Sequence, residues 1–133
     1  MNKARKILIV DDDSDDQVLL MEALHELDSS IRFQTATNGH HALELLNNNL
    51  HDLPNLIFLD LNMPRMNGVQ FLHDIKKRQE LRDLPVIIYS TSSDQKDIAE
   101  TARLGAEHFI TKPTGLSELK TRLKSVLSHE WAH

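Results

Sequence analysis

Leu56-Ile57-Phe58-Leu59 runs without a polar residue into Asp60, and Leu61-Asn62-Met63-Pro64-Arg65-Met66-Asn67-Gly68 follows. Four apolar residues closed by a charge read as a short strand covered on both faces. Packing gives no reason for a carboxylate at the end of such a strand, because burying it costs free energy unless something pairs with it.

Other strands end in the same manner. Ile7-Leu8-Ile9-Val10 stops at Asp11-Asp12-Asp13, and Val86-Ile87-Ile88-Tyr89 stops at Ser90-Thr91-Ser92. Phe109-Ile110 leads through Thr111 to Lys112-Pro113. Residues 31–36 alternate in polarity, as a half-covered edge strand does.

Helical periods fill the intervals. Leu20, Leu24 and Leu27, with Val18 and Met21 beside them, mark a helix over 15–27, and Asp13, Ser14 and Asp15 suit its start. Asn38-Gly39 opens a helix carrying Ala42, Leu43 and Leu46, which Asn47-Asn48-Asn49 ends. Phe71, Leu72 and Ile75 share one face of a third. Residues 94–104 form a fourth, with Ile98, Ala99 and Ala102 inward, a thin apolar face, and Gly105 just beyond its end. Leu116, Leu119, Leu123 and Val126-Leu127 mark the last.

Strands alternating with helices predict an α/β layer fold on a mostly parallel sheet, and ligands of such sheets bind beyond the carboxyl ends of the strands. Asp11, Asp12, Asp60, Ser90 and Lys112 would then gather at one edge. Two carboxylates about 4 Å apart, at an effective dielectric near 20, repel by about 4 kcal/mol. A hard divalent cation relieves that repulsion, and all-oxygen donors suit Mg²⁺. Carboxylate, hydroxyl and ammonium together suit the handling of a phosphoryl group, with a carboxylate oxygen as nucleophile.

Composition removes other classes. The 133 residues carry a net charge of −5, so a basic nucleic-acid face is not expected. No cysteine is present, which excludes disulfides, zinc–thiolate sites and thiol catalysis. The eight histidines are scattered, with His40-His41 the one adjacent pair. The basic start, Met1-Asn2-Lys3-Ala4-Arg5-Lys6, precedes too short an apolar run for a signal peptide or a membrane span, so a cytoplasmic protein without membrane contact is expected. At 40% apolar residues, the length fits one domain over residues 1–133, with its core at about 6–127 and a short C-terminal tail over 128–133 that includes Trp131.

Ile7-Leu8-Ile9-Val10-Asp11-Asp12, the stretch Leu59 to Gly68, Ser90 and Thr111-Lys112-Pro113 together resemble the receiver (CheY-like) domain of two-component response regulators, over nearly the whole chain. The resemblance implies a (βα)5 doubly wound sheet of flavodoxin-like order 2-1-3-4-5. It implies phosphorylation on Asp60, with Ser90 and Lys112 as its catalytic partners. It implies Mg²⁺ bound directly by Asp12, through water by Asp11, and by Asp60 and the Asn62 carbonyl. Ser90 and Phe109 would be the switch pair, the latter a phenylalanine where many members have tyrosine. Asn62 and Ser92 would tune autodephosphorylation, and the Lys112–Pro113 bond would be cis. The implied partners are a sensor histidine kinase or a histidine phosphotransfer protein, and an output protein. A homodimer through the fourth-to-fifth helix face is a further family arrangement. Such a domain is a phosphoacceptor with slow self-catalysed turnover, not an enzyme. With no effector region after residue 133, output is expected to run through protein contacts, as in small receivers encoded beside sensor kinases, including phytochrome-type ones.

Plainer readings stand beside these. Asp13, Asp15 and Asp16 read first as anions at a helix start. Asp11, Asp13, Asp15 and Glu22 also fit EF-hand spacing, but Asp16 stands where the loop needs glycine and a strand precedes it. Asp11-x-Asp13 is shared with haloacid-dehalogenase-type phosphatases, a fold for which the chain is short. His40-His41 and Lys76-Lys77-Arg78 read as solvated helix surface, and Met63 and Met66 as turn packing. A passive interaction module and a true phosphatase are the rival functions.

Overall fold

The computed structural model describes residues 5–63 and 68–128. Five strands and five helices alternate: β1 (Lys6–Val10), α1 (Ser14–Leu27), β2 (Arg32–Ala36), α2 (Gly39–Asn47), β3 (Leu56–Leu59), α3 (Gly68–Lys77), β4 (Val86–Ser90), α4 (Gln95–Arg103), β5 (His108–Thr111) and α5 (Leu116–Ser128). Every strand pair is parallel and the order is β2-β1-β3-β4-β5, so the expected doubly wound fold is the observed one.

The period-two geometry of a strand explains why three strands are apolar throughout. Leu8, Val10, Ile57, Leu59, Val86 and Ile88 point into one core, shared with Ala42 and Leu46 of α2 and Phe71, Leu72 and Ile75 of α3. Ile7, Ile9, Leu56, Phe58, Ile87 and Tyr89 point into the other, shared with Leu20 and Leu24 of α1 and Leu119 and Leu123 of α5. The edge strands carry fewer buried residues, which matches the alternation seen in 31–36.

Helix ends follow capping chemistry. The Asp13 carboxylate accepts from the backbone N–H groups of Asp15 and Asp16, and Asn38 and Asp94 cap α2 and α4 likewise. Gly105 follows α4 at φ 103°, a conformation costly to any residue with a Cβ.

Three expectations need correction. On α4, Ala99 and Ala102 are exposed, Ile98 is half-buried and Thr101 is the buried residue. The inward stripe runs through Asp97, Ile98, Thr101 and Leu104, because a small alanine gains too little from burial to set the helix phase. Thr101 is tolerated inside because its hydroxyl donates to the carbonyls of Asp97 and Ile98. Lys76 is not simply solvated: its ammonium donates to the carbonyls of Arg82 and Leu84, and burial lowers its pKa. The Lys112–Pro113 bond is trans, as is every peptide bond among the described residues. Trans is the lower-energy isomer of an X–Pro bond by about 0.5–1 kcal/mol. His40 and His41 are exposed, as expected. Pro64, Arg65, Met66, Asn67 and Trp131 lie outside the described residues.

Candidate functional site

Register brings the strand ends together. Val10 is paired with Leu59, Leu59 with Ile88, and Ser90 with Thr111. The residues that follow, Asp11, Asp60 and Lys112, therefore emerge side by side at the carboxyl edge. Backbone bonds fix them there: Asp11 N–H donates to Ala36 at 3.0 Å, Asp60 N–H to Val10 at 2.9 Å and Lys112 N–H to Ser90 at 2.7 Å.

One carboxylate oxygen from each of Asp11, Asp12 and Asp60 lies within 4.8 Å of the others. Asp11 and Asp60 are buried, at 1% and 6% exposure, while Asp12 is open to solvent. Burial pushes the Asp60 carboxyl up to about 6, against the pull of Lys112 and with added repulsion from Asp11 and Asp12. Burial likewise raises Asp11, although hydrogen bonds from Lys112 and the Asp13 N–H oppose it. This all-oxygen donor set of like, mutually repelling charges fits a divalent cation of the hard class. Asn62 is exposed two residues beyond Asp60, and its backbone N–H faces the Asp60 carboxylate at a long 3.5 Å.

The Lys112 ammonium has closer partners than Asp60. It lies 2.7 Å from Asp16 Oδ2 and 2.9 Å from Asp11 Oδ2, but 3.9 Å from Asp60 Oδ2. Burial opposes its charge, yet the bonds to Asp16 and Asp11 raise its pKa overall. The same ammonium stands 5.4 Å from the centre of the Tyr89 ring, a cation–π distance.

Ser90 is fully buried, and its hydroxyl oxygen accepts from the Ser92 N–H at 3.3 Å. Ser92 turns away toward α4: its hydroxyl donates to Asp97 at 2.7 Å and its carbonyl accepts from the Thr111 hydroxyl at 3.0 Å. Phe109 is half-buried against the core that contains α2 and α3. The edge thus unites Asp11, Asp12, Asp60 and Lys112, with Ser90 buried at the end of the neighbouring β4, while Phe109 and Ser92 belong to the β4–α4–β5 flank.

Sequence reasoning missed three residues. Asp16 had no signal to separate it from Asp13 and Asp15. Gln17 did have one, a polar residue in phase with Leu20 and Leu24; it is buried and donates to the carbonyls of Asp11 at 2.7 Å and Ala36 at 3.1 Å. Gly68 packs so tightly that a Cβ there would lie 2.4 Å from the Asp60 carbonyl oxygen and 2.7 Å from Leu61 Cα.

The response regulator receiver domain model matches residues 7–124. Chemotaxis protein CheY-3 of Vibrio cholerae is 33% identical over 126 residues, covering 95% of this chain and 94% of that protein. The phosphorylated cyanobacterial phytochrome response regulator RcpA superposes with a TM-score of 0.85 at 32% identity, over 93% of this chain and 91% of its own. The Mn²⁺-bound form of response regulator Rcp1 superposes at 0.83 with 25% identity, over 97% and 99%. Among the described residues no helix is long and apolar enough to cross a membrane.

Proposed function

The chain belongs to the response regulator receiver family, and from that premise we propose that Asp60 accepts a phosphoryl group and that the domain passes the resulting change to a protein partner. Receiver domains are phosphoacceptor signalling domains, not turnover enzymes. The observation that carries the reading is a buried carboxylate held against two others and an ammonium at a strand end.

An Asp60 Oδ attacks phosphorus as the phosphorus–nitrogen bond of a donor phosphohistidine breaks. The electron pair stays on the imidazole nitrogen, and the product is an acyl phosphate. The attacking group must be ionised; without metal, burial raises the Asp60 carboxyl to about 6, and a divalent cation bound beside it would favour the ionised form. Asp11, Asp12, Asp60 and the Asn62 carbonyl are the groups to hold Mg²⁺. When bound, the ion offsets carboxylate repulsion and the charge on the phosphoryl oxygens. Asp12, exposed, would be the direct ligand, while both Asp11 oxygens already accept hydrogen bonds and would suit contact through water.

After transfer, Lys112 and the Ser90 hydroxyl answer the new charge, and Phe109 and α4 shift with the β4–α4 loop as a two-state population change. Asn62, two residues beyond Asp60, and Ser92, which would first have to turn from Asp97, are the residues to tune the lifetime of the phosphoryl group. A histidine kinase or phosphotransfer protein supplies the group, and the likeness to RcpA makes a phytochrome-type sensor the donor to try first. An output protein, or a second copy docked on the α4–β5–α5 face, receives the signal. The test is acetyl phosphate with Mg²⁺ followed by mass spectrometry. The label maps to Asp60 and disappears on chelation; undiminished labelling of Asp60→Asn contradicts the assignment.

A further inference from the structure

We propose that Asp16 is a positioning residue that holds Lys112 in a resting place on the α1 side of the site and competes with the phosphoryl group for it. This rests on the reading of Asp60 as the acceptor.

The distances rank the partners of the ammonium: Asp16 at 2.7 Å, Asp11 at 2.9 Å and Asp60 at 3.9 Å. Asp16 is not free to wander. It lies in the first turn of α1, and its backbone N–H donates to the Asp13 cap at 3.3 Å. The Tyr89 ring is a further wall of the same resting place. Lys112 is thus held by a carboxylate outside the Asp11–Asp12–Asp60 group, and an ammonium so held is not yet given to Asp60.

Burial shows which bond yields. The Asp11 side chain is 2% exposed and that of Asp16 is 32% exposed. Leaving Asp11 would strand a buried carboxylate, whereas Asp16 can exchange the ammonium for water. Phosphorylation of Asp60 adds negative charge nearby, so the ammonium moves off Asp16 and toward the phosphoryl oxygens. The Asp16 bond must be given up for that, and it therefore sets part of the balance between resting and phosphorylated states. A partly exposed ion pair has modest strength, which makes it suited to a hand-over.

The experiment is a beryllofluoride titration at saturating Mg²⁺, with Mg²⁺ affinity measured separately for each variant. Asp16→Asn frees the ammonium and tightens beryllofluoride binding about two- to fivefold, the size expected of a partly exposed pair. In a Lys112→Met background the same substitution changes affinity by less than that. Asp16→Glu keeps the charge and tightens binding less than Asp16→Asn. Equal tightening with and without Lys112 would mean that Asp16 acts only by repelling the incoming anion, and overturns the proposal. Equal tightening by Glu and Asn, or weaker binding in Asp16→Asn, overturns it too. If the wild-type protein binds no beryllofluoride, the acceptor reading of Asp60 fails first and the hand-over with it. Wild-type binding that survives intact in Asp16→Asn, with no gain, rejects the hand-over alone.

Discussion

The two ends of the parallel sheet use the same side-chain types to opposite effect. At the amino edge, Lys6 is nearly buried and its ammonium donates to the Asp52 carbonyl at 2.7 Å and the Asp52 carboxylate at 3.3 Å. Arg32 approaches the other Asp52 oxygen at 3.5 Å, and Asn55 clasps the Lys6 backbone through its side chain and its N–H. Two bases there serve one acid, and the hydrogen bond from Lys6 holds the Asp52 carboxyl below its usual range. At the carboxyl edge, one ammonium faces Asp11, Asp16 and Asp60, with Asp12 beside them. The amino edge is finished by its own groups. The carboxyl edge has an excess of negative charge that a cation would balance.

The largest effect tests how tightly that edge is built. Gly68→Ala would drive a Cβ into the Asp60 and Leu61 backbone, which cannot yield as a flexible side chain can. It should cost about 3 kcal/mol, the upper end for overpacking, and displace the Asp60 carboxylate. Denaturant melts check the first, and loss of acetyl phosphate labelling checks the second.

A smaller effect measures the strain at Asp60 directly. Its folded pKa of about 6 lies above the ordinary 3.8, so between those values the native protein keeps a proton that the unfolded chain has released. Stability without metal therefore falls as pH rises through that window. Asp60→Asn should stabilise the metal-free protein on the order of 2 kcal/mol at pH 7, with the gain fading by about pH 4. Melting curves across pH show it. A mutant less stable than wild type at pH 7 would mean that burial and the neighbouring carboxylates do not destabilise the ionised Asp60.

Most of the fold was legible because three strands are apolar on both faces, which leaves few alternatives to a doubly wound sheet. The strand-end residues were legible for the same reason: Asp60 and Asp11 break apolar runs, and Lys112 follows Phe109-Ile110 with one residue between. The phase of α4 was not, since alanine is neutral enough to lie on either face, and Thr101 pays for burial through bonds within its own helix. Asp16 was hidden among the acidic residues of a helix start, where its pairing with Lys112 depends on a contact across 96 positions. The isomer at Pro113 depends on tertiary context that local sequence does not carry.

The central claim is that the carboxyl edge awaits a cation and the amino edge does not. Melting midpoints at pH 7 with increasing Mg²⁺, for wild type, Lys6→Met and Asp60→Asn, test it in one series. Lys6→Met should lose about 1 kcal/mol with the hydrogen bond to Asp52. It should still gain stability from Mg²⁺ as the wild type does, about 1.4 kcal/mol at ten times the dissociation constant. Asp60→Asn should gain far less. An equal Mg²⁺ response in Asp60→Asn, or none in the wild type, would contradict the account.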